Sequence, residues 1–209
     1  MKNHSQLGQD LWVLEKLRYK RNGFFVEAGA CDGVYLSNTF LLEKIYGWKG
    51  ICCEPNIQYY EKLQINRNCI FDNRVLYDSD HHEIEFYPSG ENGGTYEDFA
   101  AESARLEQRV RVGSYPARTV SLNTLLERSD APSTIDYISL DTEGSELKIL
   151  KDLNYDQWDV RIFSVEHNSG VGGRVDDSYL NEIREFLASK GYEFELNKWD
   201  SYFFKGVEA

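Results

Sequence analysis

Phe24-Phe25-Val26-Glu27-Ala28-Gly29-Ala30-Cys31-Asp32-Gly33 is the stretch that decides the fold class. Three consecutive apolar residues, Phe24 to Val26, read as a strand buried on both faces, and Glu27 and Gly29 turn it sharply. Ser37, Asn38 and Thr39 then offer side-chain oxygens for a helix N-cap. Phe40, Leu41, Leu42 and Ile45 follow at helical spacing, and Gly47 stops them. The alternation repeats downstream. Ile51, Cys52 and Cys53 make a second buried strand ended by Glu54 and Pro55, and helical spacing returns at Ile57, Tyr60, Leu63 and Gln64. Cys69, Ile70 and Phe71 read as a third strand. Strand and helix alternating through short turns predict a parallel sheet with helices on both faces, an α/β fold.

Further along, Ile84 and Phe86 suggest a strand broken by Pro88, Gly90, Gly93 and Gly94. Residues 89–118 are the least regular part, with a helical pattern around Ala100 to Gln108. This segment reads either as an insertion over the sheet's ligand edge, a lid, or as an ordinary surface excursion. Val120, Leu122, Leu125 and Leu126 read as a helix. Tyr137 to Leu140 is another buried strand, ending at Asp141, and Leu147, Ile149, Leu150 and Leu153 give the next helix. Ile162 to Val165 is a strand that ends at Glu166-His167-Asn168. Asp176 or Asp177 opens a helix with Leu180, Ile183, Phe186 and Leu187 on one face, closed by Gly191. Tyr192 to Leu196 and Ser201 to Lys205 form a β-hairpin. The expected organisation is one domain over 1–209, with a helical segment over 1–22 at its start.

The 209 residues suffice for one core without disulfide or metal staples. Lys plus Arg number 23 against 35 Asp plus Glu, a net charge of −12. That balance argues against nucleic acid or an anionic membrane as partner, because no phosphate-neutralising patch is supplied, and it suits a cationic ligand. No apolar run approaches the ~20 residues that span a bilayer. Met1 to Trp12 is polar and does not read as a signal peptide. Cys31, Cys52, Cys53 and Cys69 lack metal-ligand spacing and are expected as free thiols in a reducing cytoplasm.

In open α/β sheets, ligands bind at the carboxyl ends of the strands. Here those ends carry Glu27 with Gly29, then Glu54, then Asp141, then Glu166-His167-Asn168. The loop from Glu27 to Gly33 is not the three-glycine dinucleotide fingerprint, and its two carboxylates would repel a pyrophosphate. They would attract a ligand carrying an amine or a sulfonium. Glu54 stands where a carboxylate accepts hydrogen bonds from a ribose diol. The combination favours S-adenosylmethionine over a nicotinamide dinucleotide.

Further blocks sharpen the reading. They are Ser5-Gln6 with Gln9-Asp10, Ser37-Asn38-Thr39, Gly47-Trp48-Lys49-Gly50, Glu54-Pro55-Asn56, Asp136 to Gly144 with Glu146, and Val165-Glu166-His167-Asn168. Together with Phe25 to Gly29 and Asp32-Gly33, these resemble the FkbM-type methyltransferases, a branch of the class I S-adenosylmethionine-dependent enzymes. The resemblance runs through nearly the whole chain, and the Asp141-Thr142-Glu143-Gly144 block is its most specific part. Family members often carry Asp where Glu27 stands. The resemblance implies a Rossmann-like, mostly parallel seven-stranded sheet whose last strands form an antiparallel hairpin. It implies that Glu27, Gly29, Asp32 and Gly33 wrap the cofactor's methionine end, with Ala30 and Asn38 also among the cofactor-binding residues. Glu54 and Pro55 would then lie at its ribose, and Asn73 at the adenine edge.

Asp141, Glu143, Glu166 and His167 are the candidate catalytic residues, with a positioned base removing the acceptor's proton. Asp141, Glu166, His167 and Asn168 are the candidate ligands for a divalent cation such as Mg²⁺, by analogy with methyltransferases that act on hydroxyls. Helix-start caps explain Glu143 and Glu146 equally well. Gln6, Gln9 and Asp10 form either a flap over the cofactor or the start of a helix. The expected activity is O-methylation of a hydroxyl on a sugar, glycan or other small acceptor. The competing readings are N-methylation and a cofactor-binding protein without turnover. A nicotinamide-dependent oxidoreductase is disfavoured by the loop, and nucleic-acid methylation by the charge.

Overall fold

The computed structural model describes residues 4–90, 93–95, 111, 113–168 and 177–207. Its centre is a seven-stranded sheet. In chain order the strands are β1 (Phe24–Ala28), β2 (Lys49–Cys53), β3 (Ile70–Asp72), β8 (Thr134–Leu140), β9 (Asp159–Glu166), β10 (Glu193–Asn197) and β11 (Asp200–Phe204). Across the sheet they run β10-β11-β9-β8-β1-β2-β3. β1 pairs in parallel with both β2 and β8, which puts Glu27 beside Cys52 on one side and Ser139 on the other. Only β11 runs against its neighbours, so the hairpin closes one edge. The order reverses between β1 and β8, and such a switch point leaves a crevice at the carboxyl ends.

Successive residues of a strand face opposite sides, and the two cores divide accordingly. Val26, Ile51, Ile138 and Phe163 pack on one face against α4 (Leu122–Arg128), α5 (Glu146–Asp152) and α6 (Ser178–Ser189). Phe25, Cys52, Tyr137 and Ile162 pack on the other face with Leu14, Leu42 and Leu63. Those three leucines come from α1 (Gln9–Lys16), α2 (Phe40–Tyr46) and α3 (Ile57–Asn66). Burial of each such side chain stabilises the fold by roughly 1.5–3 kcal/mol, which is why an uninterrupted apolar strand needs both helical layers.

Several sequence expectations are refined. Val120 belongs to a strand, β7 (Tyr115–Ser121), and the helix begins only at Leu122. Ser121 caps it, its side chain accepting from the Thr124 amide at 3.2 Å. The apolar spacing from Val120 to Leu126 fits a helix, but pairing of Thr119 to Ser121 with β4 (Val75–Tyr77) overrides it. β4, β7, β5 (Glu83–Tyr87) and β6 (Gly94–Thr95) form a second, four-stranded sheet that sequence periodicity did not reveal. The irregular segment 89–118 therefore contributes strand at both ends. The helical pattern at 100–108 and the loop 169–176 lie outside the described residues.

At the start of the chain, Ser5 pairs with Leu36, and Trp12 of α1 stacks on Tyr202 of β11 at 4.0 Å. Ser5 Oγ donates to Asp10 at 2.6 Å, and Gln9 donates to Asp200. Gln9 and Asp10 thus tie the first helix down, while Gln6 alone reaches the ligand edge. All four cysteines are free thiols. Among the described residues no helix is long and apolar enough to cross a membrane.

Candidate active site

Two clefts meet at the carboxyl ends of β1 and β8. Gly29 makes that meeting possible. Its φ is +79°, and a Cβ there would stand 2.0 Å from the Asp141 carbonyl oxygen. Only glycine lets the β1 turn lie against the end of β8. The Gly29 and Ala30 amides both donate to the Cys53 carbonyl at 3.1 Å, locking the turn onto β2 as well.

The first cleft is lined by Gly29, Cys31, Glu54 and Pro55, by the apolar walls Val75, Leu76 and Phe86, and by Asp141 and Thr142. Glu54 is buried. It accepts from the Cys31 and Asn56 amides, each at 2.8 Å. Burial nonetheless dominates and pushes its carboxyl up to about 7, with nearby Glu27 adding to the rise. Desolvation penalises the charged form, and two backbone donors do not offset it. Burial likewise pushes the Cys31 thiol far up, with Glu54 and Asp141 adding to it. Cys31 is no thiolate nucleophile at neutral pH.

The second cleft is polar. Gln6, Glu27, Tyr35, Asn38, Ser139, Asp141, Glu143 and Glu166 are on its walls. Oxygens of Asp141, Glu143 and Glu166 lie within 4.8 Å of one another. Burial raises Asp141 and Glu166 well above the ordinary carboxylate range, and the neighbouring carboxylates raise them further. Glu166 Oε2 is buried without a hydrogen-bond partner. Across the hairpin Asp200 lies in register with Glu166, and burial lifts it to about 6. Glu143 is held at φ +62°, a backbone conformation that a non-glycine residue adopts only when its surroundings impose it.

The sequence candidates divide. Glu27 is spent on its own loop: it accepts from the Asn38 amide at 2.6 Å, Thr39 Oγ1 at 2.5 Å, Ser37 Oγ at 3.0 Å and Arg67 Nη1 at 3.3 Å. Asp32 accepts from the Val34 and Tyr35 amides at 2.9 and 2.8 Å, shaping the turn. Gly33, at φ +77°, packs against Leu63 and Arg67. Neither Asp32 nor Gly33 is on a cleft wall. Asn38 is: its amide nitrogen donates to Ser139 Oγ at 2.9 Å, and its buried Oδ1 has no partner. Asn73 lies apart, in a surface groove with Arg74, Tyr115 and Arg118. Val75 and Leu76, two and three residues on, line the first cleft.

At the ends of β8 and β9, Asp141, Glu143 and Glu166 come together without His167, and past the strand His167 and Asn168 share one anchor. Both use their amides to bind the Trp199 carbonyl, at 2.8 and 3.1 Å. Strand alternation turns His167 away from the face of Glu166, and Asn168 stands beyond the strand at φ +54°. Glu146 clasps the loop after β8, accepting from the Thr142 amide at 2.8 Å and the Gly144 amide at 3.1 Å. Sequence reasoning missed Phe86, Thr142, Ser139 and Tyr35. Only Ser139 had a signal, a hydroxyl inside an otherwise apolar strand.

The donors present suit S-adenosylmethionine. A carboxylate at the end of β2, apolar walls beside it and an unpartnered carbonyl oxygen on Asn38 match a diol, a flat base and an ammonium group. The unpartnered oxygen of Glu166, within an all-oxygen donor set, also matches a hard divalent cation.

Comparison with known proteins agrees with this geometry. The chain is similar in structure to the precorrin-6y C5,15-methyltransferase of Geobacter metallireducens GS-15, with a TM-score of 0.51 at 12% identity, over 94% of this chain and 87% of that one. It is similar to the METTL16 MTase domain with a TM-score of 0.50 at 11% identity, over 95% of this chain and 65% of that one. At such identities the likeness establishes the fold. No protein of curated function matches the sequence. The family described as "Methyltransferase FkbM domain" matches residues 27–194, from the carboxyl end of β1 into the closing hairpin. The chain belongs to this FkbM family of class I S-adenosylmethionine-dependent methyltransferases.

Proposed function

We propose that the protein methylates a hydroxyl oxygen of a small acceptor, with a sugar or glycan as the favoured class. The observation that carries this reading is Asp141, which lines both clefts at once. In the first cleft Glu54 would accept from the ribose hydroxyls, and Val75, Leu76 and Phe86 would enclose the base. In the second, Asn38 Oδ1 would accept from the ammonium of the methionine end. The bound cofactor supplies a methyl carbon activated by its sulfonium. The acceptor hydroxyl has to lose a proton as its oxygen attacks, and Asp141 with Glu166 would take that proton. A carboxylate whose pKa is raised by burial is the stronger base, and a positioned base is worth about 10²–10⁴ in rate.

The test is methyl transfer from labelled S-adenosylmethionine to a panel of methyl glycosides, simple alcohols and amines. Label in an alkali-stable ether that Asp141→Asn reduces at least ~10²-fold supports the reading. Label only in amines would replace it with N-methylation. Cofactor binding with no turnover on any class would leave a binding protein.

A second reading, in which the carboxylate edge holds a divalent cation, is favoured by the unpartnered Glu166 Oε2. Asp141, Glu143 and Glu166 would hold the ion in place of the set including His167 and Asn168, and the ion would supply a lowered pKa for a hydroxyl beside it. Loss of turnover in EDTA, restored by Mg²⁺, would select this reading. Full turnover in EDTA would remove the metal reading.

A further inference from the structure

Arg67 follows the end of α3 and is buried. It lines neither cleft, yet its guanidinium donates five hydrogen bonds around the loop after β1. Nε donates to Glu43 at 2.7 Å. Nη1 donates to Ser37 Oγ at 3.0 Å, to the Gly33 carbonyl at 3.1 Å and to Glu27 at 3.3 Å. Nη2 donates to Thr39 Oγ1 at 2.9 Å. The guanidinium carbon also lies 5.4 Å from the Phe25 ring centre and 5.8 Å from that of Phe40. A planar fork that meets two carboxylates, a carbonyl and two hydroxyls at once fixes their relative positions in a way a lysine ammonium cannot.

Those partners are the loop that carries Asn38. Glu27 accepts from Arg67 on Oε2 and from the Asn38 amide on Oε1. Ser37 and Thr39, bound to Arg67 directly, flank Asn38 in sequence. The Asn38 side chain is held on its far side by Ser139. Its Oδ1 is left on the wall of the polar cleft, buried and unpartnered. The line of contacts runs from α3 through Arg67 and Glu27 to one acceptor atom in the site.

We propose that Arg67 is a positioning residue for the methionine end of the cofactor, acting through Glu27 and Asn38. The inference rests on the reading of Asn38 Oδ1 as the acceptor for the cofactor's ammonium group. A residue that only stabilised the fold would weaken every ligand alike. Arg67 instead discriminates between ligands with and without the methionine end, because Glu27 passes its hold on to the Asn38 amide and none of its five hydrogen bonds goes to Glu54.

The experiment compares S-adenosylhomocysteine by calorimetry with adenosine by ligand-observed NMR, on full-length protein. Arg67→Lys keeps a charge between Glu27 and Glu43 but loses the fork. The expected result is a loss of tenfold or more in S-adenosylhomocysteine affinity, with adenosine within about twofold of wild type. Asn38→Ala should give the same selective loss, and the double variant should lose no more than Asn38→Ala alone. If Arg67→Lys fails to fold, Glu27→Gln carries the test with the same expected pattern. Equal losses for both ligands, or additive losses in the double variant, would overturn the positioning role while leaving the cofactor reading intact. Wild-type protein that binds neither ligand would overturn the cofactor reading itself, and this inference with it.

Discussion

Glu54 should make cofactor affinity depend on pH in a direction its surroundings set. In the free protein, burial lifts this carboxyl from its usual 4.5 to about 7. At 1.36 kcal/mol per pH unit, that shift corresponds to about 3 kcal/mol of resistance to ionisation. A ribose diol donating to the carboxylate stabilises the ionised form and draws the value back down. Binding below pH 7 therefore expels a proton, and affinity weakens by up to tenfold per pH unit. Between pH 7.5 and 5.5 the expected loss is roughly twentyfold. Calorimetry in buffers of different ionisation enthalpy at pH 6 should detect release of nearly one proton. Folding stability moves the opposite way. The folded state holds the Glu54 proton up to about pH 7 and the unfolded state only to about 4.5, so Glu54 costs stability increasingly as pH rises through that window. Relative to wild type, Glu54→Gln should thus gain up to about 3 kcal/mol between pH 5 and 8 while binding cofactor more weakly and without the pH slope. An affinity flat across this range, or a wild-type slope retained in Glu54→Gln, would refute the reasoning.

Gly29→Ala places a methyl group 2.0 Å from the Asp141 carbonyl oxygen at a left-handed φ. A cost of roughly 2–5 kcal/mol is expected, read as a lowered urea midpoint together with loss of S-adenosylhomocysteine binding. Arg67→Met leaves Glu27 buried without its cation and Glu43 with Lys44 alone, and should destabilise by about 3–5 kcal/mol in chemical denaturation. Trp12→Ala removes the stack on Tyr202 and the 2.8 Å hydrogen bond to Glu195. It should cost about 3 kcal/mol in thermal or urea unfolding, because this large side chain packs α1 onto the hairpin beside the Gln9–Asp200 hydrogen bond.

The main sheet was legible because its strands are short apolar runs that end in acidic residues. Val26, Ile51, Ile138 and Phe163 must be covered on both faces, and that requirement alone predicts the two helical layers. The second sheet was not legible. Its strand β4 is three residues long, and β7 carries Pro116 and alternating exposure, so pairing partners define it more than its own pattern. At the site, the strand-end rule found Glu54, Asp141 and Glu166. It also points to Glu27, which lines the polar cleft while its carboxylate is held by Arg67, a residue forty positions away that no local pattern connects to it. It failed for His167, because a strand end shows which residues are near the edge but not which of two neighbours faces the ligand. Asn38 entered through the family resemblance. What the sequence alone does not convey is its unpartnered acceptor.

The most direct test of the central claim is calorimetric titration of S-adenosylmethionine into the purified protein, the Glu54→Ala variant and the Asp141→Asn variant. The account predicts a dissociation constant of about micromolar order for wild type, well within calorimetric range. It predicts loss of that binding in Glu54→Ala and near wild-type affinity in Asp141→Asn. Absence of binding in the wild-type protein, or equal losses in both variants, would contradict it.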